Sequence, residues 1–219
     1  WLQAIILEKD CANLRDEILK ITNNYGVMTT ITDIHWNVSK HGRINPRIQF
    51  EPINIGNSKI EYCSGKSGRF IFNNCLNIGS KIRVILSGEI IPEITEIIAQ
   101  SYYPLMPDIE YKWDKNKVNV FIVKENDDQI IQKIMFFLKA VNIENIGIGV
   151  LTKIYNGGFD SIDKILKITS QDLNKLDGFS DVLSNKIVDN ISKIVNSKIY
   201  LPVLMHASCT FKYGFGVKK

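Results

Sequence analysis

The residues best suited to chemistry in this chain are cations set among turn formers. In "SKHGRINPR", residues 39–47, Lys40, His41, Arg43 and Arg47 surround Gly42 and Pro46, and an alternating strand pattern follows at once. In "CSGKSGRF", residues 63–70, Lys66 and Arg69 stand among glycines. Glycine lets a backbone come close to a ligand, and cationic groups placed there can meet phosphate oxygens; the plainer reading of either stretch alone is a solvated turn. Contacts of the first kind hold a phosphodiester backbone without reading its sequence, and they weaken with salt.

A second constellation lies in the later half, where glycine turns recur at "IENIGIG" (143–149), "LDGFSD" (176–181) and "KYGFG" (212–216). The first two precede amphipathic stretches, "VLTKIYNGG" and "VLSNKIVDNISKIV". A glycine turn that leads into a helix leaves amide N–H groups unpaired at its start, and the helix dipole favours an anion there. One such glycine is most often a helix cap, and repetition brings the phosphate reading level with that one. Gly147, Gly149 and Gly178 are the candidates, with Lys186 on the following stretch as a further contact. In "SGEIIPEI", Gly88 and Pro92 bracket Ile90 and Ile91; such a pair is ordinarily core, though an exposed one can press into a minor groove.

Other chemistries find little support. His35, His41 and His206 stand apart with no Ser or Cys arranged as a nucleophile beside them, so no catalytic residue is assigned. Cys11, Cys63, Cys75 and Cys209 stand singly, without the paired spacing of a zinc site, and read as reduced thiols of an intracellular protein. There is no phosphate-binding P-loop, no run long enough to span a membrane and no secretory layout at the start. A net charge of +4 tolerates anionic partners without demanding them.

These residues need elements to position them. Residues 25–125 carry short β-rich segments, "MTTITDIHWNV", "RIQFEPINI", "KIEYCSG", "KIRVILSGEIIPEI" and "KVNVFIV", separated by Gly, Asn and Pro turns. Five or so strands in about a hundred residues suggest a small barrel. From residue 126 the period changes, and "DDQIIQKIMFFLKAV" puts Ile130, Ile131, Ile134, Met135, Leu138 and Val141 on one side of a helix. Helical signals continue to residue 219. Residues 1–24 suit either a helix or the end of a preceding domain, and an opening at Trp1 rather than Met is expected of a fragment.

In their order, these motifs resemble the C-terminal half of an NAD-dependent DNA ligase. "WNVSKHGRINPRIQFEPINIG" (36–56) is similar to the opening run of that family's OB-fold domain, and "GSKIRVILSGEIIP" (79–92) to its later glycine-to-proline run. "VNIENIGIGVLTKI" and the stretch through "LDGFSDVLSNKIVDNI" follow its first two helix-hairpin-helix units. The resemblance implies an α+β chain, an OB-fold β-barrel followed by an all-α helix-hairpin-helix domain. It implies that Arg43 and its loop contact the DNA backbone, that Ile90 and Ile91 lie in the minor groove beside a nick, and that Gly147, Gly149 and Gly178 sit in phosphate-binding hairpins.

Two departures carry expectations of their own. The family's four-cysteine zinc module is replaced by "YYPLMPDIEYKWDKNKVNVFIV" (102–123), a replacement that looks like the ligases of some large DNA viruses, so no zinc is expected. The family's nucleophilic lysine, in a K-x-D-G motif, is expected upstream and absent from this segment. The full enzyme would use NAD and Mg2+ bound mainly outside it and would seal nicks in double-stranded DNA during replication and repair. A monomer without membrane association is expected, in a reducing compartment such as a viral factory or nucleus. The competing readings are a non-catalytic DNA-binding or scaffolding protein that retains the same module, and a protein–protein adaptor.

Overall fold

A computed structural model describes residues 25–88 and 90–210. The expectations for residues 1–24, Cys11 and the turn at 212–216 lie outside the described residues. Two compact units divide the rest: residues 25–37 with 43–123, and residues 38–42 with 124–210.

The first unit is built from β1 (Val27–Val38), β2 (Arg43–Ile55), β3 (Ser58–Ser64), β4 (Lys81–Ser87) and β5 (Ile91–Ala99), with α1 (Gly68–Asn73) between β3 and β4. The strands pair in the order β5-β4-β1-β2, and β3 joins β2 antiparallel. Because β3 also runs alongside β5, the sheet curls back toward its own edge and becomes OB-like. Two short strands, β6 (Tyr111–Trp113) and β7 (Val120–Ile122), extend it beyond β2, with β7 opposite Arg43 and Ile44.

Alternation decides what faces inward. Along β2, Ile44, Pro46, Ile48 and Phe50 are buried while Arg43, Asn45, Arg47 and Gln49 are not. The phase then slips at Glu51 and Pro52, both exposed, where the pairing with β3 shifts register. Proline suits that irregularity because it has no N–H to offer a ladder. Beyond the slip, Ile53 and Ile55 return to the core, joined by Ile31, Ile34, Ile60, Ile71, Leu76, Ile82, Val84 and Ile94. Isoleucine dominates because a β-branched side chain packs well on a pleated surface, and each full burial contributes about 1.5–3 kcal/mol.

Two expected segments differ from the structure. Arg43 and Arg47 lie on a strand rather than in a loop, because the turn has already closed at Gly42, whose N–H donates to the Ser39 carbonyl (2.8 Å) and whose φ is +76°. "KIRVILSGEIIPEI" is two strands, since Gly88 at φ +58° reverses the chain and sets Ser87 opposite Ile91.

The second unit is helical: α2 (Asp127–Ala140), α3 (Ile148–Asn156), α4 (Ile162–Leu166), α5 (Ser170–Asn174), α6 (Asp181–Val195) and α7 (Leu201–Ala207). Side-chain caps start four of them. Asn126, Ser161 and Ser180 accept from the backbone N–H of the third residue of α2, α4 and α6, and Thr169 forms a reciprocal box with Asp172 at α5. Such caps matter because helices this short are not stable alone. Ile131, Ile134, Met135, Leu138 and Val141 face the shared core as expected, with Ile130 packed at its margin. Leu151, Ile154, Ile165, Leu173 and Ile187 complete it.

Cys63, on β3, is buried, and burial pushes its thiol up to about 12, with Lys66 acting in the opposite direction. An unfolded thiol titrates near about 8.5. Between those values the unfolded chain gives up the proton and the folded chain keeps it, so this contribution is complete at pH 8 and lost as pH rises toward 12. We predict that urea unfolding shows a steeper alkaline loss of stability in the native chain than in Cys63→Ala; parallel pH profiles would refute the assignment.

Candidate nucleic-acid interface

The cations singled out in the sequence take different positions. Arg43 and Arg47 project from the same face of β2, four residues and so about 13 Å apart along the strand. Arg47 is exposed, and its guanidinium carbon lies 4.0 Å from the centroid of the Tyr62 ring on β3, a cation–π contact that orients it without neutralising it. Arg43 is half-buried. Lys66, at φ +60°, donates to the Ile94 carbonyl (3.0 Å). Arg69 donates from Nε to the Lys117 carbonyl (2.7 Å) and from Nη2 to the Asn116 carbonyl. Both of these side chains are thus anchored to main chain.

Lys40 and His41 belong to the other unit. Gln129 of α2 donates to the Lys40 carbonyl (3.1 Å), and the Lys40 ammonium sits 2.8 Å from the centroid of Phe136. Burial lowers the Lys40 pKa, while Cys209 acts the other way. His41 is also lowered, by burial first and then by Lys40 and Lys133, which disfavours its charged form.

Ile90 and Ile91 are not core. They stand 80% and 61% exposed at the tip of the β4–β5 hairpin, while Val84 and Ile94 further down the same strands are buried. The ordinary reading of an apolar pair fails here because the hairpin extends past the end of the core.

The glycines divide into two kinds. Gly147 is the N-cap of α3 with φ −78°, a conformation open to any residue, and Gly149 follows in the first turn. A Cβ on either would meet nothing within 4 Å. The left-handed positions of that turn are filled instead by Asn142 and Asn145, at φ +60° and +65°. Neither glycine is required by the chain's own packing or backbone. Gly178 has an internal reason, since its φ is +83°, while the Lys153 ammonium beside it is a mobile side-chain end that could give way to a Cβ. Lys186 is exposed on α6.

Lys153 was not singled out by the sequence. It reaches from α3 to donate to the Asp177 carbonyl (3.1 Å), placing a cation beside the second glycine turn. Its partner lies 24 residues away, and no local pattern signals it.

One tetrapeptide departs from the expectation that this segment lacks the adenylated-lysine string: Lys175-Leu176-Asp177-Gly178 reads K-x-D-G. Its setting is the end of a helical hairpin. Lys175 is the C-cap residue of α5, its side chain is 77% exposed and its ammonium lies 3.6 Å from Asp172. A nucleophilic lysine is activated by desolvation in a pocket or by a neighbouring cation, and neither applies to Lys175. Among the described residues no three His, Cys, Asp or Glu side chains gather to hold a metal ion, and no helix is long and apolar enough to cross a membrane.

With the barrel and its exposed tip in place, the class follows. Residues 28–103 match the family model of the NAD-dependent DNA ligase OB-fold domain. The chain is 37% identical over 193 residues to a DNA ligase of Acanthamoeba polyphaga mimivirus, covering 87% of this chain and 30% of that protein. It is 29% identical over 169 residues to putative DNA ligase 205R of Invertebrate iridescent virus 6, covering 77% and 26%. A DNA ligase of Desulfatibacillum aliphaticivorans is 28% identical over 185 residues, covering 80% and 29%. The resemblance read from the motifs is upheld: this chain is similar to DNA ligases, viral ones among them, and carries the OB-fold domain of the NAD-dependent kind. It spans less than a third of the length of these relatives.

The two kinds of glycine give opposite stability predictions. Gly149→Ala should stabilise the chain by up to about 1 kcal/mol, and Gly178→Ala should destabilise it by about 1–2 kcal/mol or more. Chemical denaturation of both variants measures this; a destabilising Gly149→Ala would show that the first turn has a packing need of its own.

Proposed function

We propose that this chain is the DNA-clamp portion of an NAD-dependent DNA ligase that seals nicks in duplex DNA during replication and repair. In this reading residues 25–125 are the OB-fold domain and residues 126–219 the helix-hairpin-helix domain, with residues 1–24 ending or leaving a nucleotidyltransferase domain. The observation that carries it is the exposed Ile90–Ile91 tip, because two unshielded isoleucines on a hairpin raised beyond its core are costly unless they meet a surface. A minor groove offers one.

The remaining residues have separate roles. Arg43 and Arg47 on β2, with Lys66 and Arg69 beside the barrel helix, attract the sugar–phosphate backbone. Gly147 and Gly149 leave the start of α3 bare, so a phosphate oxygen can reach its amides. Lys153 adds a cation at the Gly178 turn, and Lys186 extends that charge along α6. Lys40, packed on Phe136, serves mainly to fix the 38–42 turn, and His41 beside it offers a hydrogen bond.

This segment takes no covalent step itself. In this reading NAD and Mg2+ are bound mainly outside this segment, and no zinc is expected because residues 102–123 hold no cysteine. Nicked double-stranded DNA is the partner, bound by a monomer. Free thiols at Cys63, Cys75 and Cys209 suit a reducing compartment, a viral factory or nucleus if the source is viral. No observation favours the scaffold or adaptor readings over this one.

Fluorescence anisotropy with nicked duplex tests the proposal. Arg43→Ala should weaken binding whatever the sequence and reduce the slope of log affinity against log salt by about one. Ile90→Asp with Ile91→Asp should abolish preference for nicked duplex while leaving the circular dichroism spectrum unchanged. Gly149→Ala should weaken binding despite its stabilising effect. Unchanged affinity in all three variants across a salt titration would refute duplex binding by these surfaces.

A further inference from the structure

We propose that the barrel unit carries a second nucleic-acid site, one that seats an unpaired nucleotide of single-stranded DNA in the cleft between α1 and the turn joining β6 to β7. The cleft has a volume of about 400 Å³ and is lined by Arg69, Phe72, Asn73, Trp113 and Lys117. That size lies within the usual range of small-ligand sites, about 300–1,000 Å³. It uses neither the β2 arginines nor the isoleucine tip, and it shares only Arg69 with the duplex reading.

The lining is both fixed and unfilled. Phe72 is 52% exposed although the Trp113 ring stands edge-on to it, with centroids 5.9 Å apart and planes at 80°. Trp113 is itself held down by Gly68, where a Cβ would come within 3.3 Å of its Cζ3 atom. The Arg69 guanidinium is locked by its bonds to the Lys117 and Asn116 carbonyls, and the Arg69 N–H donates to the Val118 carbonyl (3.0 Å). Its remaining N–H donors keep a constant orientation. Asp114, a nearby carboxylate, is committed to the turn, accepting from the Val118 N–H (2.8 Å) and the Asn119 amide (2.9 Å).

A ligand for this cleft needs an aromatic face for Phe72, negative charge for Arg69 and Lys117, and a polar edge for Asn73. A nucleotide supplies all three: its base stacks, its phosphate meets the two cations, and its base edge pairs with a carboxamide that both donates and accepts. Intact duplex does not qualify, because its base faces are covered by their neighbours. An acidic peptide bearing an aromatic side chain is the rival class. Its backbone N–H and C=O can also meet the amide, so the displacement arm of the test separates the two classes.

The test titrates the chain with oligothymidylate of about eight nucleotides, following both anisotropy and tryptophan fluorescence. Binding should quench fluorescence, and Trp113→Phe should remove most of that quench while binding persists. Phe72→Ala combined with Lys117→Ala should weaken oligothymidylate about tenfold or more and leave nicked-duplex affinity unchanged, with Phe72→Tyr retaining affinity as the control for folding. Ile90→Asp with Ile91→Asp should do the reverse, so loss of one site is separable from loss of the other. Three outcomes would overturn the proposal: no binding of oligothymidylate, binding indifferent to the Phe72 and Lys117 changes, or displacement of it by a Glu- and Phe-containing peptide that binds more tightly.

Discussion

The whole barrel unit follows from one constraint: a small curled sheet has room inside for only one face of each strand. Once Ile44, Ile48 and Phe50 claim the interior of β2, Arg43 and Arg47 must stand on the other side, and the slip at Glu51–Pro52 is needed to bring Ile53 and Ile55 back in. The same limit operates lengthwise. Ile94 and Val84 reach the core, but the next turn of the β4–β5 hairpin lies past its end, so Ile90 and Ile91 have nothing of this chain to cover them. An exposed apolar tip thereby arises from the inability of a small core to accept more side chains.

In the helical unit the corresponding constraint is shortness. Helices of five residues such as α4 and α5 cannot hold themselves, so Ser161 and the Thr169–Asp172 box satisfy their first amides while Ile165 and Leu173 fix them to the core. Side-chain capping at α4, α5 and α6 also consumes donors that an anion would need. The start of α3 is different: its cap is Gly147, no side chain accepts from its first amides, and Gly149 adds no bulk. Four helix starts of this unit are closed by Asn, Ser or Thr, while those of α3 and α7 have no side-chain cap and α7 carries a proline in its first turn, so the first glycine turn is a stronger candidate for phosphate than the second, where Ser180 already accepts from Leu183.

Local patterns were readable from the sequence, and contacts between distant residues were not. Period two in β2 and the apolar stripe of α2 reach the reader through neighbours in the chain, so the strands and that helix were legible, as was the isoleucine pair once the surrounding run resembled a ligase motif. Lys40 against Phe136, Lys153 at Asp177 and Arg69 on Asn116 and Lys117 join residues tens of positions apart, and each changes what a basic residue is available to do. The K-x-D-G string at Lys175 makes the converse point. Letters at the right spacing recur by chance, and the exposed end of α5 lacks the desolvated surroundings that make such a lysine a nucleophile.

The segment that follows β5 poses a different physical problem, because the resemblance implies a zinc module in that position and a structural metal contributes folding free energy outright. Here direct ties hold it. Trp36 donates to the Leu105 carbonyl (3.1 Å), Asn77 to the Tyr103 carbonyl (3.1 Å), and Arg69 to the turn between β6 and β7. Asp114 closes that turn; the Val118 N–H above all holds its carboxyl below the usual range, so its contribution is present above the ordinary carboxylate pKa and is lost only as pH falls through the lowered one. The Arg69 tie draws on α1, and in doing so it brings an arginine, a lysine and two aromatic rings to a single wall of the barrel.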